Sequence, residues 1–103
     1  MREDVVYSGS DGFEEEFVSL LPEKCRGYIR VLFFFIHKYL EDPTQAFSAY
    51  TVEKEVVGIS RARPILDRLV KAKFIVVTEN DPFPRYKLNS DKEAVKRLLN
   101  LFK

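Results

Sequence analysis

Val31-Leu32-Phe33-Phe34-Phe35-Ile36 is an unbroken apolar run in the middle of a segment, Glu23 to about Leu40, that otherwise reads as helix and stops at Glu41-Asp42-Pro43. A helix with one wet face shows polar residues every three or four positions, whereas this one is apolar all round the cylinder and must be covered on more than one side. The run is far shorter than the ~20 residues that cross a bilayer, so the cover has to be protein. One side can pack on the domain's own core. The other needs either the segment Phe13 to Leu21 or a second copy of the chain, and we expect a homodimer. Its contact is expected to use Phe17, Leu21, Val31, Phe34 and Phe35, together with Val95, Leu98, Leu99 and Phe102 of a C-terminal helix.

At 103 residues, 46% of them apolar and 32% charged, the chain is bounded to one globular domain with a short extension. We divide it into an acidic arm with a short helix, residues 1–22, and a domain of residues 23–103. A lone Cys25 closes no internal disulfide, and Cys25 and His37 are too few for a zinc cluster. No glycine loop that cradles phosphate, nucleophile with an adjacent base, or spaced carboxylate pair is visible, so we expect no enzyme, no catalytic residue, no metal and no cofactor. Nothing calls for a membrane, and the expected location is cytoplasmic. The net charge of +1 hides an asymmetry: residues 1–22 hold one basic and six acidic residues, net −5, and residues 23–103 hold sixteen basic and ten acidic, net +6. An acidic arm beside a basic module is the pattern of a chain with a binding surface, and the arm is a candidate contact for a protein partner.

Along the chain, Phe13, Phe17, Leu20 and Leu21 recur at helical spacing up to Pro22. After Pro43, either Ala46 to Tyr50 forms a short strand or Ser48 caps a helix through Val57, with Thr51 as the rival cap. Gly58 ends that helix with the left-handed conformation common just past a helix end. Ser60 is the expected N-cap of the next helix, whose buried stripe is Ala62, Ile65, Leu66, Leu69 and Val70. Its other face carries Arg61, Arg63, Pro64, Asp67, Arg68 and Lys71, and Pro64 lies where a missing backbone donor costs least. Asp67 can pair with Arg63 or Lys71 at four-residue spacing. The β-branched run Ile75-Val76-Val77-Thr78 and the alternating Arg85 to Asn89 make a hairpin, stiffened at its tip by Pro82 and Pro84. Ser90-Asp91-Lys92-Glu93 has the form of a capping box, opening an amphipathic helix with Ala94, Val95, Leu98, Leu99 and Phe102 on one side.

Helix, helix, glycine turn, helix, hairpin and helix is the order of a winged helix-turn-helix, and GISRARPILDRLVKAKFIVV resembles the second half of that motif. Gly58, Ile59, Ser60, Leu66, Leu69 and Ile75 occupy its places. RPILDRLV and DPFPRYKLN are similar to the corresponding helix and wing of PadR-type regulators, and MarR-type and ArsR-type regulators share much of the pattern. The resemblance covers about residues 44–103. It departs at Glu53-Lys54, where an Ile-Ala pair is usual, and at Lys73, where a glycine is usual. The fold class it implies is α+β, mostly α: a winged helix-turn-helix with a two-stranded wing and additional N- and C-terminal helices.

That resemblance implies a recognition helix at about 60–73 in the major groove of duplex DNA, with a wing at about 74–89 on the backbone or in the minor groove. Arg61 and Arg63 are then the candidates for reading bases, since arginine pairs with guanine in bidentate fashion. Arg68, Lys71, Arg85 and Lys87 are candidates for phosphate, and the hydroxyls of Thr51 and Ser60 for donation to it. Residues 58–90 hold seven cations (Arg61, Arg63, Arg68, Lys71, Lys73, Arg85, Lys87) against three anions (Asp67, Glu79, Asp81). A small dimeric transcriptional regulator, associated with the nucleoid, is the expected function. A DNA-organising or segregation protein would use the same surface, and a protein-interaction winged helix in a larger complex is the alternative from another class.

Overall fold

A computed structural model of the protein describes residues 22–80 and 82–102. The elements are α1 (Glu23–Glu41), β1 (Phe47–Ser48), α2 (Ala49–Glu55), α3 (Arg63–Lys71), β2 (Ile75–Glu79), β3 (Arg85–Leu88) and α4 (Glu93–Phe102). The described residues are thus mostly helical with one antiparallel sheet of three strands in the order β1-β3-β2. The expected helix over Phe13 to Leu21, with Phe17 and Leu21, lies outside the described residues.

The apolar run of α1 is explained within the single chain. Helix α3 and strand β3 pack against α1, and α4 packs on it as well. Val31, Phe35 and Ile36 are buried with Leu66 of α3, Ile75 of β2, Tyr86 and Leu88 of β3, and Val95 of α4. Phe34, only partly covered, stacks edge-on with Phe35 (5.4 Å) and with Phe47 of β1 (5.2 Å). Phe33 meets the Phe102 ring at 5.5 Å, and His37 stacks edge-on with that same ring. This corrects the expected subunit contact. Val31, Phe35, Val95 and Leu99 are at most 7% exposed and offer a second copy almost no surface. Full burial of each such side chain contributes roughly 1.5–3 kcal/mol to the fold itself.

Local chemistry sets the element ends. Helix α1 stops where Asp42 accepts from both the backbone N–H (3.0 Å) and the hydroxyl (2.7 Å) of Thr44, a side-chain turn that competes with helix. The two readings of residues 46–57 are both realised in part, because Phe47–Ser48 is a strand and Ser48 then caps α2. The Thr51 N–H donates to Ser48 Oγ at 3.3 Å, so Ser48 and not Thr51 is the cap. Helix α2 ends at Glu55, earlier than the expected Val57, and Gly58 follows with φ +92°. A methyl group on Gly58 would stand 3.1 Å from Arg30 Nε, so the position excludes side chains on two grounds.

Helix α3 begins at Arg63, not at Ser60, with Ala62 as N-cap and Pro64 in its first turn. It ends in a Schellman motif: Lys73 N–H donates to Val70 O (2.9 Å) and Phe74 N–H to Leu69 O (3.0 Å). Lys73 has φ 69°, so it takes the left-handed place that glycine usually fills. Its carbonyl is held by Asn89 Nδ2 at 2.8 Å. In β3 the register Val77↔Tyr86 and Ile75↔Leu88 sets Tyr86 and Leu88 inward, while Arg85 and Lys87 alternate onto the opposite face. The expected capping box at Ser90 does not form as such, since α4 starts at Glu93 itself and Asn89 Oδ1 takes the N–H of Asp91 (3.2 Å).

Candidate nucleic-acid interface

The outer face of α3 is built by the same periodicity that buries Leu66 and Leu69 against α1 and the sheet. Facing outward are Arg63, Pro64, Asp67, Arg68 and Lys71, preceded by the exposed Ser60 and Arg61 in the turn from α2. Pro64, Asp67, Arg68 and Lys71 line a shallow, open concavity. Of the two pairings open to Asp67, the one formed is with Arg63, Nε to Oδ1 at 3.6 Å, both side chains more than half exposed. Such a pair contributes about 0.3–0.5 kcal/mol. Arg61, Arg68 and Lys71 have no ion-pair partner among the described residues. The Tyr86 phenol lies near the start of this helix: burial pushes its pKa up, the Arg63 charge pulls it down and the Asp67 charge adds to the rise.

The hairpin cations do not join this face. Arg85 is paired with Glu79 (Nε to Oε1, 3.7 Å). Lys87 is close enough to Asp42 to act on it: the carboxyl is held below its ordinary range first by the Thr44 hydroxyl, then by the Thr44 N–H, with a smaller contribution from Lys87. Thr51 is half-buried in the first turn of α2, with its hydroxyl 3.2 Å from that of Ser48. Three of the eight residues expected to touch nucleic acid therefore share the α3 face, namely Arg63, Arg68 and Lys71, and Arg61 stands exposed in the turn that leads into it. Ser60 precedes Arg61 in the same turn, Thr51 is in the first turn of α2, and Arg85 and Lys87 are on β3.

Two residues that local spacing did not single out belong to this region. Arg30 of α1 packs across the Gly58 turn and brings a further cation there. Glu53 of α2 reaches the start of α3, where its Oε2 accepts from the Ala62 N–H at 2.9 Å. The signal for Glu53 was present as a departure, an acid where the resemblance calls for an apolar pair; for Arg30 we find none. Among the described residues no group of His, Cys, Asp and Glu is placed to hold a metal ion, and no helix is long and apolar enough to cross a membrane. Cys25 is a free, half-buried thiol.

No family model, curated protein or solved structure matches this chain.

Proposed function

We propose that the chain is a winged helix-turn-helix domain that binds duplex DNA sequence-specifically and acts as a small dimeric regulator of transcription, repressing by occupancy of its site. The observation that carries this reading is the outer face of α3, where Arg68 and Lys71, with Arg61 in the turn before the helix, are exposed and have no ion-pair partner among the described residues, on a helix packed against the core. In support, the element order α1-β1-α2-α3-β2-β3 and the strand order β1-β3-β2 are those such a domain requires. Helix α3 enters the major groove, Arg61 and Arg63 read base edges, and Arg68 and Lys71 hold phosphates. The hairpin lies along the backbone or minor groove, with Arg85, paired with Glu79, and Lys87 on its outer face. A DNA-organising role would use the same contacts without a fixed site.

For the dimer, the surface still open is that of Leu101, 79% exposed, beside the partly covered Leu98 and Phe102 on α4 and Leu40 at the end of α1. Leu101→Lys is then expected to shift the sedimentation coefficient from dimer to monomer. The reading as a protein-interaction module draws on a different surface, the exposed Tyr50 of α2 and Val57 of the turn. Selection of bound duplexes from a random-sequence pool tests the DNA reading. The expected product is a conserved motif repeated in two inverted half-sites about one helical turn apart, as a two-fold dimer demands. Recovery of no enriched sequence favours the DNA-organising role, and no retention of duplex at low salt removes both.

A further inference from the structure

Helix α3 has an anion already at its N-terminus, and the anion comes from another helix. The N-cap residue Ala62 offers no side-chain acceptor, and Pro64 removes one of the first-turn donors. Glu53, nine residues upstream on α2, supplies the acceptor by taking the Ala62 N–H at 2.9 Å. A helix start bears about half a positive charge and presents N–H groups outward, which makes it a ready place for a phosphate. Here a carboxylate stands in that place. Asp67, one turn into the helix, is paired with Arg63, whereas Arg68 and Lys71 have no ion-pair partner among the described residues.

Capping alone does not require a charge, since any oxygen acceptor can take one N–H. A fixed negative charge has a further effect on a surface that meets DNA: it opposes phosphate, and phosphate contacts are what bind all sequences alike. We infer that Glu53 is a specificity-determining positioning residue. It fills the anion place at the start of α3 with an internal carboxylate, turns the DNA backbone away from that end, and leaves backbone anchoring to Arg68 and Lys71. Arg61 and Arg63, on either side of Ala62 in the chain, are thereby kept for base edges. The gain lies in discrimination, obtained by weakening every wrong complex. This inference rests on the DNA-binding reading.

Two variants of the full chain separate charge from capping. Glu53→Gln keeps an oxygen acceptor for Ala62 and removes the charge; Glu53→Ala removes both. Each is titrated, beside wild type, against a random-sequence duplex and the tightest selected duplex over a salt series, and its melting temperature is measured. For Glu53→Gln the expected result is a several-fold gain in random-duplex affinity and a salt slope steeper by about 0.9, the value for one added phosphate contact. The selected duplex gains less, so the specificity ratio falls, while the melting temperature stays at the wild-type value. Glu53→Ala is expected to melt lower. A Glu53→Gln protein with wild-type affinity and slope on both duplexes reduces Glu53 to a cap and overturns the inference alone. A wild type that binds no duplex overturns the DNA-binding reading, and this inference with it.

Discussion

Helices α3 and α4 are close counterparts. They have nine and ten residues, each buries a stripe of apolar side chains, and each carries one exposed Arg–carboxylate pair four residues apart: Arg63–Asp67 at 3.6 Å and Arg97–Glu93 at 3.7 Å. Both also show further exposed lysine on the outer side, Lys71 in one and Lys96 in the other. Their fixation differs. Helix α3 packs on both α1 and β2, its start is tied to α2 through Glu53, and its end is closed by the Schellman bonds and by Asn89. Helix α4 packs chiefly on α1. A basic outer face is therefore common to both and singles out neither. What distinguishes α3 is that its cations are presented at a fixed angle and position, which recognition of a rigid duplex needs.

The comparison can be broken first in the core. Leu66→Ala, emptying a site with no exposure between α1 and α3, is expected to cost about 3–5 kcal/mol, and Leu99→Ala under α4 about 2–3 kcal/mol. Denaturant melts of the two variants check the order, and a larger loss at Leu99 would show that α4 is the better-fixed helix. Next in size is the turn before α3. Gly58→Ala must hold φ +92° and press on Arg30, at an expected cost of about 1–2 kcal/mol. Lys73→Gly, at the left-handed residue after α3, is expected to gain about 1 kcal/mol by the same reasoning, and thermal melts read both signs. Smallest is Asp67→Asn, which removes an exposed ion pair and is expected to change stability by less than ~0.5 kcal/mol.

Alkali probes the same helix from below. The Tyr86 pKa is raised in the folded chain, so its contribution to stability is complete below the ordinary tyrosine value of 10.0 and is lost as pH rises past it. Tyr86→Phe is therefore expected to flatten the fall in stability above about pH 10, measured by urea unfolding across that range. An unchanged profile would place the alkaline transition elsewhere.

The parts of this fold legible in the sequence are those with local causes. The extent of α1, the strand pair Ile75–Glu79 and Arg85–Leu88, and the left-handed Gly58 followed from periodicity and turn chemistry within a few residues. The start of α3 did not, because its cap is Glu53 across a turn, and a search for a local acceptor settles on Ser60 instead. Strand β1 was left open against helix, because its two residues are extended by pairing Phe47 with Tyr86, far along the chain. The apolar run of α1 was over-read as a subunit contact. All-round burial looks the same in sequence whether the cover is the chain's own α3, α4 and sheet or a second copy. At the candidate interface, Arg63, Arg68 and Lys71 were legible from helical spacing, whereas Arg61, expected on the helix, lies in the turn before it. Arg85 and Lys87 were read as wing cations from the resemblance, and the period of two in β3 puts them on the sheet's outer face.

The central claim is that the α3 face binds duplex DNA and the α4 face does not. It is tested most directly by titrating a selected duplex, over a salt series, with three full-length proteins: wild type, Arg61→Ala/Arg63→Ala and Lys96→Ala/Arg97→Ala. The account predicts wild-type affinity that falls steeply with salt, a loss of about tenfold or more in the α3 double variant, and wild-type behaviour in the α4 double variant. Equal losses in the two variants, or no binding by wild type at low salt, would contradict it.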